Sequence, residues 1–343
     1  MSYYEQVANW ISDNTKGARI GQDSGSVGPP QQSRDAWGTE RRYRPGDAGS
    51  SSTYGQRKLP QRTFLDIVEG NAQNAITKIS ESSQQLLNSG KIAKDGALTP
   101  EDTQALSSLV EQINKSPKDS HPTTEQIAAL MKVASDWPTA TRVPGVAILA
   151  RLAVSPAFVS STSAGERTII DKVASTGLLE PKQVTANNAV HAIRLLVNLF
   201  ASDGGRMIID GSFDTTLNLV RPFASEPESP AQFKALSTLY LNFAVLLASN
   251  APAATNTRTK EARAKTLLTD IAVLLECESP HAGESEGLFR TLCALGTLLT
   301  LGEDFRRQVK MGASGTLHFV GTKAGASEAR VKEVVQEIRD ELR

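Results

Sequence analysis

Residues 186 to 200 read ANNAVHAIRLLVNLF, with Val190, Ile193, Leu196, Val197 and Phe200 apolar. These positions recur at the three- and four-residue steps of one helix face. Arg194 and Asn198 interrupt the apolar run four residues apart, so they share a side of the helix, one turn from each other. The pattern returns along the chain. Arg151 lies in VAILARLAV, 43 residues before Arg194, and Asn242 lies in TLYLNFAVLL, 44 residues after Asn198. Arg290 lies in GLFRTLCALGTLL, 96 residues after Arg194, or two steps of 48. A period in the forties, built from helices alone, marks an armadillo or HEAT array. One such unit cannot bury its apolar face alone, so units stack and equivalent helices line one surface. Polar residues repeated on those helices form a ladder along a groove. The pattern predicts a peptide-binding groove and not an active site.

The remaining elements follow from the same periodicity and its punctuation. Residues 4 to 14, YEQVANWISDN, predict a short amphipathic helix with Val7, Trp10 and Ile11 on one face. Residues 15 to 60 are rich in Gly, Ser, Pro, Gln and Arg and nearly devoid of aliphatic side chains, so they are expected to be a disordered linker. Within it GTERRYRPGD is a local basic cluster. Order is expected to begin near Phe64, with a first helix from about Asn71 to Leu87 stopped by Gly90. Thr99-Pro100-Glu101-Asp102 has the form of a helix start, a hydroxyl cap followed by proline and acid. Thr123 or Thr124 caps the next helix, which ends at Trp137-Pro138 because proline disfavours helix in the residue before it. Pro144 opens the Arg151 helix. Further helices are predicted at about 163–176, 186–200, 211–221, 230–249, 258–276, 285–301 and 302–310, with a final charged helix at 327–342. The expected fold is an all-α, armadillo- or HEAT-like solenoid, a right-handed stack of about six repeats filling residues 61–343.

Composition changes this picture little. The chain has 343 residues, with 37 Lys+Arg against 37 Asp+Glu. Balanced charge argues against a nucleic-acid or membrane-surface role driven by bulk charge. Cys277 and Cys293 have no metal-ligand spacing and read as reduced thiols of an intracellular protein. No N-terminal apolar run resembles a signal peptide. The longest apolar stretch, Leu239 to Ala248, is broken by Asn242 and is expected to fall short of a membrane span.

Other motifs carry no chemistry. Gly283-Glu284-Ser285-Glu286-Gly287 matches G-x-S-x-G, but that motif needs a strand-to-helix elbow and here it follows a helix. His121, His191, His281 and His318 are far apart in sequence, and His191, three residues before Arg194, could border the groove. Asn114-Lys115-Ser116 has the form of a glycosylation acceptor, which the intracellular reading sets aside. No metal and no cofactor are expected.

The runs LPQRTFLDIVEGNAQNAITKI, DWP, VPGVAILARLAV, NNAVHAIRLLVNLF, ALSTLYLNFAVLL and LFRTLCALGTLL resemble, in order and spacing, the PUL domain. This is the C-terminal armadillo-like module of the phospholipase-activating-protein-like ubiquitin adaptors, found also in some fungal deubiquitinase-like and thioredoxin-like proteins. The resemblance covers about residues 58 to 343. YYEQVANWISDNTKG further resembles the last helix of the PFU domain, the ubiquitin-binding module that precedes PUL in the adaptors. RRYRPGD resembles their linker repeats in part. The resemblance implies the C-terminal portion of an adaptor without its β-propeller or most of its PFU domain, so ubiquitin is expected only through upstream domains.

The resemblance also implies a partner. PUL domains bind the acidic, tyrosine-containing C-terminal tail of the ubiquitin-selective AAA ATPase valosin-containing protein, in a groove lined by basic residues. The family's conspicuous arginines fall on Arg151 and Arg290; Arg194, Asn198 and Asn242 match motif positions whose groove role comes from the ladder geometry. Guanidinium forks suit the tail carboxylates, and asparagine amides suit an extended backbone. The expectation is a monomeric, non-catalytic adaptor module of ubiquitin homeostasis and proteasomal degradation, cytoplasmic and nuclear, binding neither nucleic acid nor membrane. Two alternatives stay open: an import-receptor-like binder of another peptide, or an accessory domain of a deubiquitinase-like enzyme. Import-type grooves pair Trp with Asn to hold basic peptides. Arginine in place of that tryptophan predicts an acidic ligand.

Overall fold

The computed structural model describes residues 57–69, 72–93, 96–163, 168–182, 184–249 and 257–343. The expected PFU-like helix and most of the expected linker lie outside the described residues. Within them the chain is all helical, with fourteen α-helices and no strand. These are α1 (Gln73–Asn88), α2 (Pro100–Lys115), α3 (Thr124–Met131), α4 (Val143–Leu152), α5 (Pro156–Ser163), α6 (Ile169–Ser175) and α7 (Ala186–Leu199). They continue as α8 (Asp203–Gly211), α9 (Phe213–Val220), α10 (Pro230–Ala248), α11 (Thr257–Glu276), α12 (Ser285–Leu299), α13 (Glu303–Val320) and α14 (Ala329–Glu341).

Local chemistry explains most boundaries. Thr99, Thr123 and Thr168 each make a reciprocal capping box, with Asp102, Gln126 and Asp171 respectively. Each box satisfies two backbone N–H groups that the first turn would otherwise leave without a partner. Ser229 caps α10 ahead of Pro230. Helix α3 runs into a short π-helical turn, Lys132–Asp136, and the chain turns extended at Trp137 before Pro138. The Trp137 indole N–H donates to the Gly96 carbonyl at 3.0 Å, which fixes the exit.

Two short helices, α5 and α8, were not expected, and α13 runs well beyond residue 310. Gly204-Gly205 argues against a helix at α8 by propensity. The backbone there leaves no choice, since a Cβ at Gly205 would lie 2.0 Å from the Leu199 carbonyl oxygen. In α13, Gly312 and Gly315 hide a buried stripe of Phe305, Val309, Ala313, Leu317 and Val320, and packing overrides propensity.

Six helices, α1, α4, α7, α10, α12 and α14, pack each against the next in one continuous inner row. At its centre is α10, which on length and hydropathy alone could cross a membrane. The shorter stretch Leu239 to Ala248 does not meet that test, which is met by the whole helix from Pro230. Its most apolar window is 83% buried inside the fold, the place of a core helix in a solenoid. A chain of rings, Phe64, Phe200, Phe243 and Phe213, runs through this core with centroids 4.8–5.5 Å apart. Guanidinium groups close both ends, Arg206 over Phe64 and Arg263 over Phe213, each at 4.9 Å.

Close approach of α10 and α12 depends on Gly287, where an added Cβ would lie 2.5 Å from the buried Phe233 ring. Alanine there gains up to about 1 kcal/mol of helix propensity but overpacks a rigid ring, which costs about 1–3 kcal/mol. Gly287→Ala is therefore expected to lower stability by about 1–2 kcal/mol. Urea unfolding followed by circular dichroism would check this; an unchanged midpoint would mean that the two helices slide apart freely.

Candidate functional site

The groove face of the inner row is already filled. Residues 57–69, preceding α1, cross it as a strap without helix or strand. The strap runs opposite to the order of the helices beneath it. Glu337 on α14 accepts the backbone N–H groups of Lys58 and Leu59 at 2.9–3.0 Å. Thr297 on α12 accepts that of Gln61 at 3.0 Å. Asn242 on α10 takes the N–H and C=O of Leu65, both at 2.8 Å. Asn198 on α7 takes those of Ile67, at 2.6 and 3.0 Å. Beyond the Lys58–Leu59 pair held by Glu337, the anchored positions 61, 65 and 67 are spaced by even numbers, as residues of extended backbone facing one way must be. Leu59, Phe64, Leu65 and Ile67 are buried beneath the strap. The expected linker therefore ends before Lys58, and residues 64–67 belong to the strap.

The ladder of amides is real, but its occupant is the chain itself. Asn198 and Asn242 are fully buried and committed to the strap, and Asn198 also donates to the Ala150 carbonyl at 2.8 Å. The expectation that they meet an incoming peptide is corrected on this ground. Arg290 is corrected as well. It was expected in a water-facing groove, but it is 1% exposed. Its Nε donates to Glu286 at 2.6 Å and its Nη1 to the Thr238 hydroxyl at 2.6 Å. Arg330 holds the other Glu286 oxygen. A cation this deep without the pair would be prohibitive, and the pair gives it a structural role.

Arg151 and Arg194 are placed differently. Both line an open cleft of about 420 Å³ where the strap ends, between α1, α4 and α7. Its walls are largely aliphatic, with Ile67, Ala72, Ala75, Val143, Pro144, Ala147 and Ile148. Its polar groups are Glu69, Asn74, Lys78, Arg151, His191 and Arg194. Arg194 is mostly buried, lies 3.8 Å from the Glu69 carboxylate, and its Nε makes no hydrogen bond among the described residues. Lys234 on α10 reaches Glu69 at 2.7 Å.

The electrostatics favour an anion. Burial draws the Arg151 and Arg194 pKa values down from the usual arginine range. Burial, helped by the Arg194 charge, pushes His191 down to about 4, so its imidazole is neutral at pH 7. Burial of Glu69 raises its pKa, but Lys234, then Arg194 and Arg290, outweigh that and hold it below 4.5. Lys78, Arg151 and Arg194 thus share with one carboxylate, Glu69, the lining of a largely apolar cleft. Among the described residues no His, Cys, Asp and Glu cluster is placed to hold a metal ion.

The overlooked site residues carried a readable signal. Lys234, Thr238 and Asn242 follow four-residue steps on α10, the same stripe as Arg194 and Asn198 on α7. Thr297 lies seven residues after Arg290, again on one face. Glu286, four residues before Arg290, was the sign that the arginine has a partner of its own. Glu337 had no such signal. The family model of the PUL domain matches residues 59–337, from the first buried strap residue to the last rung of the ladder. With 279 of its 343 residues in that match, the chain belongs to the PUL domain family, a protein-interaction module of adaptors of the AAA ATPase valosin-containing protein.

Proposed function

We propose that this module binds the acidic C-terminal tail of the valosin-containing-protein-type AAA ATPase, as a non-catalytic adaptor in ubiquitin homeostasis. The observation that supports this reading is the cleft beside the strap, where Arg151, Arg194 and Lys78 stand over an aliphatic floor. A tail that ends in carboxylates and carries an aromatic ring needs those two surfaces together: forks for the charges and an apolar bed for the ring. The asparagine ladder does not take part, because its amides are spent on Leu65 and Ile67. An import-type reading, in which such amides hold the foreign backbone, has no free rungs left to use.

Calorimetric titration with a synthetic tail peptide tests the reading. Arg151→Ala and Arg194→Ala each remove charge-assisted hydrogen bonds worth about 1.5–3 kcal/mol, so affinity is expected to fall roughly tenfold or more for each. Lysine at either position should restore only part, because it lacks the planar fork. Thermal melts should hardly change, because both side chains border an open cleft. Folded variants that bind like the wild type would overturn the assignment.

A further inference from the structure

We propose that Glu69 is an internal competitor for the cleft, a carboxylate of the chain's own that an incoming carboxylate must displace from Arg194. The inference rests on the acidic-peptide reading above. Glu69 lies two residues beyond Ile67, whose N–H and C=O are both held by Asn198, so the strap delivers it to the cleft in a fixed place. It is the acid among the cleft's charged lining residues. It divides its attention unequally. Lys234 is in tight contact at 2.7 Å, while Arg194 is loosely engaged at 3.8 Å, beyond hydrogen-bond range. The Glu69 side chain is about half exposed and free of packing constraint on that side, whereas Arg194 is mostly enclosed and keeps a buried Nε without a hydrogen-bond partner.

Such an arrangement has two states. Without ligand, Glu69 neutralises part of the field of Arg194 and keeps the buried guanidinium tolerable. With ligand, Glu69 remains on Lys234, and Arg194 turns its fork to the foreign carboxylate. The exchange swaps one carboxylate for another, so selectivity for acid over neutral peptides is retained while affinity is moderated. The carboxylate that stays behind repels the incoming one across a few ångströms, and that repulsion is the quantity to measure.

The experiment is calorimetric titration of the full chain with two synthetic peptides. One is the acidic tail peptide with a free terminal carboxylate. The other has the same sequence with Asp and Glu changed to Asn and Gln and the terminus amidated. Glu69→Gln is expected to tighten the acidic peptide roughly three- to tenfold and to leave the neutral one unchanged, with Glu69→Ala following in the same direction. Melts should stay within a few degrees of the wild type, because the Glu69 carboxylate is about half exposed and engages Arg194 only at 3.8 Å. If Glu69→Gln, folded, binds the acidic peptide no better or worse than the wild type, Glu69 is not a competitor and instead positions Arg194. If neither wild type nor Glu69→Gln discriminates the two peptides, the acidic-peptide reading of the cleft fails and the inference falls with it.

Discussion

A protein that begins at residue 70 is expected to lose its cooperative melting transition and to expose a continuous apolar groove. Leu59, Phe64, Leu65 and Ile67 are each 4–5% exposed in the intact domain. Burial of each contributes about 2 kcal/mol, so roughly 8 kcal/mol goes with them. That is comparable to the whole stability of an ordinary domain, about 5–15 kcal/mol. The buried amides of Asn198 and Asn242 lose their strap partners in the same step. Phe64→Ala is the gentler version, expected to cost about 3–5 kcal/mol and on the order of 10 °C in a chain of this size. A peptide spanning residues 57–69, added in excess, should restore part of the lost stability to the truncated protein by mass action. Thermal melts of the three samples decide the matter. A truncated protein that melts as sharply and as high as the intact one would show the strap to be a passenger and not part of the core.

Replacing Arg290 is expected to damage the fold first and binding only as a consequence. Removing one member of a buried pair costs about 3–5 kcal/mol, and here Arg330 still holds one Glu286 oxygen, which places the loss toward the lower end. Arg290→Ala should therefore melt far below the wild type, while Arg290→Met with Glu286→Leu, which removes both charges, should recover much of the loss. The pH dependence carries a second signature. Burial raises the Glu286 pKa, but Arg290 and Arg330 outweigh it and hold it below 4.5. A depressed carboxylate stabilises the fold above its unfolded pKa, and that contribution is lost as pH falls through the folded value. The wild type should thus lose stability below about pH 4.5, and the double variant should lose less. If Arg290→Ala stays fully folded yet cannot bind the tail peptide, Arg290 contacts ligand after all.

Much of the architecture was legible because stacked helices write their register into the chain. The 44-residue step from Asn198 to Asn242 located the ladder, and the capping residues Thr99 and Ser229 located helix starts. What fills the ladder was not legible. Periodicity along a helix shows which residues share a face, and it does not show which segment of the chain lies on that face. The seat of residues 64–67 depends on helices lying more than 130 residues away, which no local pattern can show. The two arginines divide for the same reason. Both interrupt apolar helices, but Arg290 has Glu286 one turn behind and Thr238 on a neighbouring helix, whereas the carboxylate nearest Arg194 among the described residues is Glu69 at 3.8 Å. Neighbours in space decide which of two similar cations faces solvent.

The strap also sets the order in which this domain can be completed. A plain solenoid folds by adding each unit to the one before, with contacts confined to neighbours. Here Lys58 and Leu59 meet Glu337, nearly 280 residues further along the chain. During synthesis the strap must wait for the last helix to leave the ribosome before the backbone N–H groups of Lys58 and Leu59 find their acceptor. Closing such a loop is slow compared with local helix pairing. Until then the groove is open and its apolar floor exposed, which makes the nascent chain a client for chaperones. A stop codon that removed only α14 would undo the seat of the opposite end of the chain. The strap is therefore seated at that end only once Glu337 is in place to accept it.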